Sequence, residues 1–534
     1  MNLSDYPIDH GRYLIEASAG TGKTYTITHL ILRLILQGVP VRKILVTTFS
    51  NAAADELKAR ILALLNEERN KLIPDPEQTA EPETAETYHP DLFHSSDDLK
   101  SRILLQLAIS SIDEMTVSTI HGFCQKMLRE FALKSGKAFE TELVPDEAPY
   151  RDRLVRAFCR ERFYEDGAQN PGMFGALSNA AKLASEPVDL DSFEGEKLDE
   201  MQTLRRDVYR FVRDRLPAEM EKDGAMSFND MIRDLDAALQ ADDGLAKLIR
   251  ARYQAVFVDE FQDTDRIQYR IFDKCFPKGC PNLFYMIGDP KQAIYGFRGA
   301  DIYTYLRAKN TADDRFTLTR NFRSSPAMIE AVNRMFGDGD LEEGHTTDGV
   351  FLQDDIPFVS IASGKSAGDF PDNPGGSLRL RHYIGSKGDC AHRISEDVVR
   401  EIRYLLSENC PVRVFEGDDH TPRPLRASEI AILVQRHEEA AGFVAMLNRV
   451  GIAASACKSG KIYDTDEAKL MLLLLRCFLH PDMESVPKVA LCCQMDKLKK
   501  PREQDTPNAA RNQLKIHGLL RPEKLIEPVD AANQ

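Results

Sequence analysis

Short apolar runs that stop abruptly at small, polar or charged residues set the rhythm of this chain. The first, Tyr13-Leu14-Ile15, leads into Ala17-Ser18-Ala19-Gly20-Thr21-Gly22-Lys23-Thr24 and then Tyr25-Thr26-Ile27-Thr28-His29-Leu30-Ile31-Leu32. That order predicts a strand, a glycine-bearing loop and an amphipathic helix. Lys43-Ile44-Leu45-Val46-Thr47-Thr48-Phe49 repeats the strand signal, and Asn51 to Leu65 repeats the helix signal. Ala255-Val256-Phe257-Val258 and Leu283-Phe284-Tyr285-Met286-Ile287 are apolar at every position, as parallel strands covered on both faces are. Such alternation predicts an α/β fold: a parallel sheet with helices on both faces.

Between these runs the pattern changes. Residues 137–250 read as helical and charged, without a chemical motif, and predict an inserted helical domain. Pro74 to Ser96 is acidic and rich in Pro, Glu and Thr, which predicts a surface loop. Ser363 to Gly376 reads as a linker, and beyond it Ile430-Ala431-Ile432-Leu433-Val434 and Glu438 to Arg449 predict a further strand and helix. The expected organisation is therefore an α/β domain in two parts, 1–136 and 251–345, with the insertion at 137–250. A partial second α/β domain at 346–490 and a divergent tail at 491–534 follow.

Composition narrows the class. A chain of 534 residues suggests roughly three or four domains at ~150 residues each. A hydrophobic content of 43% supports packed cores, and a net charge of −15 argues against a wholly basic nucleic-acid binder while leaving room for a local groove. The ten cysteines include no C-x-x-C pair, so neither a zinc ribbon nor a disulfide framework is implied. The first residues lack a signal-peptide pattern, and the richest apolar run, Leu470 to Leu479, is too short to span a bilayer. These features predict a soluble cytoplasmic protein that makes no use of a membrane.

The chemistry is concentrated at the ends of the apolar runs. Backbone N–H groups of Ala17 to Thr24 would nest phosphate oxygens at a helix N-terminus. Lys23 would reach the β- and γ-phosphates, and the Thr24 hydroxyl would ligand Mg²⁺. An ordinary glycine-rich turn is the alternative. The apolar run ending at Val258 delivers Asp259 and Glu260 to the edge of the sheet where ligands of open α/β folds bind. Asp259 would hold Mg²⁺ with Thr24, and Glu260 would deprotonate the attacking water; a solvated Asp-Glu turn is the plainer alternative. After Ile287, Gln292 is placed to sense a γ-phosphate, while Tyr295 and Phe297 offer flat faces to unstacked bases, unless both rings serve only a core. In Asn321-Phe322-Arg323, Arg323 would contact the γ-phosphate and Phe322 would stack on adenine, although an N-cap beside a surface arginine has the same appearance.

Taken together, these stretches resemble superfamily 1 helicases of the UvrD/Rep group, and within that group the RecB-like family of helicase–nuclease subunits. The resemblance rests on Leu14 to Thr24, Asp259-Glu260-Phe261-Gln262-Asp263-Thr264-Asp265, Gly288 to Leu306 and Asn321 to Pro326, and extends over about residues 11–480. It implies a RecA-like P-loop NTPase motor domain with a helical insertion and a partial second RecA-like domain. It also implies ATP with Mg²⁺, 3′-to-5′ movement on single-stranded DNA, action at double-stranded DNA ends in break repair and recombination, and RecC- and RecD-like partner subunits. By the same resemblance Phe49 and Asn51 belong to a DNA-touching motif, as does His121 unless it is a structural histidine. Arg298 would meet the DNA backbone or couple it to the nucleotide site.

There are departures from the family pattern. Pro7-Ile8-Asp9-His10-Gly11 lacks the glutamine that usually reads adenine. No Gly-Leu-Glu segment, no Ala-Leu-Thr-Arg-Ala segment and no nuclease-type Asp…Asp-x-Lys set is present, so the expectation is a RecB-like chain cut short within its second motor domain, with impaired turnover. A module that binds ATP and DNA without catalysis is the second reading. A GTPase or transporter ATPase is disfavoured, since Asn-Lys-x-Asp and Leu-Ser-Gly-Gly-Gln are both missing.

Overall fold

The computed structural model describes residues 5–72, 96–132, 142–144, 146–163, 171–182, 184, 200–296, 301–337, 342–348, 356–366, 370–371, 377–416, 421–456, 468 and 471. The chain divides into two compact units, Met1–Phe370 with Gly375–Arg379 and Pro371–Pro374 with Leu380–Gln534.

The first unit begins β1 (Gly11–Ala17), α1 (Lys23–Leu36), β2 (Ile44–Thr48), α2 (Asn51–Lys71), α3 (Ser96–Ser110), β3 (Thr116–Thr119) and α4 (Ile120–Glu130). A helical excursion follows, made of β4 (Glu142–Leu143), α5 (Ala148–Phe163), α6 (Pro171–Lys182), α7 (Glu200–Glu221) and β5 (Ala225–Met226). The chain then returns through α8 (Phe228–Ala241), α9 (Asp243–Arg252), β6 (Ala255–Val258), α10 (Arg266–Cys275), β7 (Leu283–Gly288), α11 (Ile302–Thr311) and β8 (Asp314–Leu318). Six strands form one sheet in the order β3-β2-β6-β7-β1-β8, and every pairing is parallel. All six C-terminal ends therefore lie along one edge, which is where the loops carrying polar chemistry emerge.

The continuous apolar runs follow from coverage on both faces. Ile15, Val46, Phe257 and Tyr285 point to one side, into a core with Ile27, Ile31 and Leu34 of α1 and Leu57 and Ile61 of α2. Their neighbours Leu14, Leu45, Val256, Val258, Phe284 and Met286 point to the other, into a core with Phe123 and Met127 of α4 and Phe272 of α10. This is the two-residue period of a strand read on a sheet with no solvent face. Within residues 137–250, α5, α6 and α7 close a core of their own around Val155, Leu177, Val208 and Val212. Met231, Ile232, Leu235 and Leu239 of α8, with Leu245 and Ile249 of α9, instead join the second face of the sheet.

After β8, β9 (Arg320–Asn321) leads into α12 (Pro326–Phe336), capped by the Ser325 hydroxyl. β10 (Thr346–Thr347) and β11 (Phe358–Val359) pair antiparallel, and β12 (Ala362–Ser363) pairs parallel with β9. The stretch expected as a linker from Ser363 thus starts inside a small ladder. The expected surface loop at Pro74 to Ser96 lies outside the described residues up to residue 95, as does nearly everything after 456, including Ser459-Gly460-Lys461.

In the second unit, α13 (Lys387–Leu405) and α14 (His437–Arg449) meet through Val399, Ile402 and Leu447, and β13 (Arg413–Glu416) and β14 (Thr421–Pro424) form an antiparallel hairpin. The expected strand at Ile430 to Val434 is not formed. A strand exists only against a partner, and among the described residues this run has none: Ile430 and Ile432 lean on the helix pair while Leu433 is 96% exposed. No helix among the described residues is long and apolar enough to cross a membrane.

Candidate nucleotide and nucleic-acid site

The loop from β1 to α1 is shaped by two left-handed glycines, Gly20 at φ 80° and Gly22 at φ 92°. Gly20 also has no room for a side chain, because a Cβ there would lie 2.8 Å from the Cβ of Arg323. Thr21 tightens the turn by donating both its N–H (3.2 Å) and its hydroxyl (2.8 Å) to the Ser18 carbonyl. Helix α1 starts at Lys23 with no side-chain cap and no acidic residue in its first turn. Its first N–H groups and partial positive charge are thus left for an anion.

Strand β6 delivers Asp259 and Glu260 to the same edge. Lys23 Nζ reaches Glu260 Oε2 at 2.8 Å, although the strands they follow are separated by β7. Glu260 is the one non-glycine residue with positive φ among the described residues, at 51°. Such a conformation costs ~1–2 kcal/mol, and here it aims the carboxylate at Lys23. Burial pushes the Asp259 carboxyl up to about 6, and the Glu260 charge adds to this while Lys23 and the Glu260 N–H oppose it. Asp263 is also raised to about 6, by burial and by Glu260, again opposed by Lys23. One ammonium therefore serves three carboxylates. A buried Asp with so little positive compensation, together with a hydroxyl at Thr24 in the first turn of α1, is a donor chemistry that suits Mg²⁺ carried in on a triphosphate.

Three further residues join strand tips that are distant in sequence. Gln262, buried, donates to Glu260 Oε2 at 2.7 Å and accepts from the Asp289 N–H at 3.0 Å. Asp289 in turn accepts from Gln292 Nε2 at 2.7 Å and pairs with Lys291 at 2.8 Å. Asn321, also buried, donates to the Ala19 carbonyl at 2.9 Å and accepts from the N–H groups of Arg323 (2.8 Å) and Ser324 (2.9 Å). The Phe322 N–H adds a bond to the Gly20 carbonyl at 2.8 Å. The segment bearing Phe322 and Arg323 is thus clasped to the loop of Ala17 to Thr24. The Phe322 ring, 50% exposed, lies against Gly364, where any Cβ would collide with it.

Aromatic side chains stand further along the edge. Phe49, after β2, stacks on Tyr295, after β7, with ring centroids 4.7 Å apart and planes at 24°. Asn51 opens α2 on the exposed surface, next to the Ser50 N-cap. His121, at the start of α4, meets Phe228 edge-on at 5.7 Å, and burial lowers its pKa while Asp265 opposes the shift. Phe297 and Arg298 lie outside the described residues.

Residues 6–313 match the family model described as the UvrD/REP helicase N-terminal domain, more than half of the chain. The chain belongs to the UvrD/REP helicase family. Among similar proteins, the RecBCD enzyme subunit RecB of Escherichia coli (strain K12) is 29% identical over 91% of this chain and 51% of that protein. The subunit of the same name from Mycobacterium tuberculosis is 31% identical over 92% of this chain and 44% of its own length. The one from Haemophilus influenzae is 28% identical over 88% and 51%. This UvrD/REP-family chain spans about half the length of the curated relatives it matches, and it is RecB-like in sequence.

Within this helicase-family site, Gln262 and Asn321 were visible in sequence only as members of quoted stretches. The sequence shows an amide among carboxylates at Gln262 and an amide next to Arg320 at Asn321, but not that either is buried. What each one bridges depends on neighbours 27 and 302 residues away.

Proposed function

We propose that this chain is the ATP-hydrolysing, DNA-engaging motor part of a RecB-type helicase. The observation that carries the reading is the 2.8 Å meeting of Lys23 and Glu260 across the strand tips. It supports the reading because the residue expected to bind phosphate and the one expected to accept a proton meet at the tips of β1 and β6.

In this reading the backbone of Ala17 to Thr24 holds the triphosphate, Lys23 moves from Glu260 to the β- and γ-phosphate oxygens, and Phe322 covers adenine. Mg²⁺, arriving with the nucleotide, would be held by Thr24 and Asp259 and would neutralise charge on the phosphate oxygens. Glu260 takes a proton from water as the water oxygen bonds to the γ-phosphorus and the bridging bond to the β-phosphate oxygen breaks, giving ADP and phosphate. Gln292 and Arg323 sense the γ-phosphate. Phe49 and Tyr295 stack on bases, and Asn51, His121, Phe297 and Arg298 supply further contacts to the DNA. RecB relatives carry a name that places them in a RecBCD enzyme, so the proposal extends to 3′-to-5′ movement from double-stranded DNA ends in cytoplasmic break repair and recombination, with RecC- and RecD-like partner subunits.

The test is ATP turnover by the chain with and without single-stranded DNA. Turnover that rises with DNA, is abolished by Lys23→Ala, and falls ~100-fold or more in Glu260→Gln with nucleotide binding retained is expected. A wild-type chain that binds nucleotide and DNA but never hydrolyses ATP would instead be a binding module.

A further inference from the structure

The geometry points to Gln262 as a positioning residue that couples the nucleotide site to the DNA-facing loop. This inference rests on the ATP and DNA reading above and assigns the link between the two halves of it. Gln262 is 2% exposed and spends its amide on two strand tips at once. Its Nε2 donates to Glu260 Oε2 at 2.7 Å, the same oxygen that Lys23 holds. Its Oε1 accepts from the Asp289 N–H at 3.0 Å, the first residue after β7. Gly288 is shaped to this contact, since a Cβ there would strike the Gln262 carbonyl oxygen.

From Asp289 the connection runs on through short, defined contacts. The Asp289 carboxylate caps a turn of 3₁₀ helix at Pro290–Gln292 by accepting from the Lys291 N–H, and it also holds the side chains of Lys291 and Gln292. Three residues later Tyr295 stacks on Phe49. A line of polar contacts therefore runs from Lys23 through Glu260, Gln262 and Asp289 to Gln292, and the chain itself carries it the last three residues to Tyr295 of the aromatic pair. When a triphosphate withdraws Lys23, Glu260 Oε2 keeps Gln262 as its partner, and any shift of the carboxylate is passed to the Asp289 N–H because both ends of one planar amide move together.

Coupling of this kind is a ratio of affinities and is reciprocal, so it is measurable without hydrolysis. Fluorescein-labelled oligo(dT) is titrated by anisotropy against the full chain, with and without saturating ATPγS. The wild type is expected to show a nucleotide-dependent change in DNA affinity of about 5-fold or more. In Gln262→Met, which has similar length and no hydrogen-bonding amide, the ratio is expected to collapse to within ~2-fold of unity. Affinity for each ligand alone is expected to stay near wild type, which a merely structural defect would not allow. Gln262→Glu keeps an acceptor for Asp289 but opposes Glu260 with a like charge, and it is expected to lose coupling too. Should Gln262→Met melt below the assay temperature, Gln262→Glu and Gly288→Ala carry the test, the latter displacing the amide from the other side. Coupling that survives in folded variants, or is absent from a wild type that binds both ligands, overturns this inference alone. A wild type that binds no ATPγS overturns the nucleotide reading as well.

Discussion

Replacing Asn321 with alanine removes three hydrogen bonds from a side chain that is 5% exposed. At ~0.5–1.5 kcal/mol net for each bond, the loss is about 1.5–4.5 kcal/mol. The upper part of that range applies because the N–H groups of Arg323 and Ser324 and the Ala19 carbonyl are left without the partner. The damage is local to the clasp, so nucleotide affinity should fall about tenfold while DNA affinity in the absence of nucleotide holds, Phe49 and Tyr295 being untouched. Asn321→Asp separates the two halves of the contact. Its carboxylate still accepts from Arg323 and Ser324, which preserves part of the stability. It cannot donate to Ala19, however, and it sets a negative charge beside the loop of Ala17 to Thr24. The expected order is therefore wild type, Asp, Ala for melting temperature, and wild type, Ala, Asp for affinity toward a fluorescent ATP analogue. Identical orders in the two measurements, or an aspartate variant that binds nucleotide like the wild type, would refute the clasp as the determinant of loop shape.

Three other outcomes are expected. Phe49→Ala or Tyr295→Ala should each weaken oligo(dT) binding by ~1–3 kcal/mol per lost stacked base, with a shallow salt dependence because stacking rather than counterion release supplies the contact; anisotropy at several salt concentrations reads both. His121 should titrate below 6.5, and Asp265→Asn should lower it further by removing the carboxylate that opposes the burial effect. Because the folded state then prefers the neutral ring, this contribution to stability is present above 6.5 and is lost as pH falls toward the folded pKa; the imidazole resonance missing from His121→Asn identifies the group, and a midpoint at or above 6.5 contradicts the assignment. Buried Arg12 pairs at 2.5 Å with Asp273, which is 48% exposed at its side chain, so Asp273→Asn should destabilise more than Arg12→Met, because only the former strands a buried charge; equal shifts in denaturation midpoint would count against this.

How much of this could be read from the chain depended on whether the deciding contact was local. The runs ending at Val258 and Ile287 announced a sheet covered on both faces, since a buried strand needs apolar residues at every position, and the glycines of Ala17 to Thr24 announced a loop that only glycine can follow. Helices α8 and α9 carry the same amphipathic signal as α5 to α7, and periodicity alone does not say which core a helix joins. Ile430 to Val434 has the composition of a strand, but a ladder is a property of two segments, and the second is not found among the described residues. Gln262 and Asn321 were missed as links for the same reason. Their types were plain, while their partners were set by the order of strands in the sheet.

That order also explains why the acidic site is tolerable. Asp259, Glu260 and Asp263 crowd one strand end, and the raised pKa of Asp259 and of Asp263 shows that their mutual repulsion and burial are only partly offset by Lys23. In the proposed reading a triphosphate that draws Lys23 away would worsen this imbalance unless a cation came with it, so the carboxylates would favour a metal-bound nucleotide over the bare anion. The same exchange changes what Glu260 faces. With Lys23 in place the carboxylate oxygen is shared by an ammonium and the Gln262 amide; with Lys23 drawn away, Gln262, a neutral donor, would hold its position alone. The strained backbone at Glu260, with φ 51°, keeps the side chain between these two partners. If the chain hydrolyses ATP as proposed, the nucleotide that draws Lys23 to its phosphates also frees Glu260 Oε2 of its ion pair and leaves the carboxylate to Gln262.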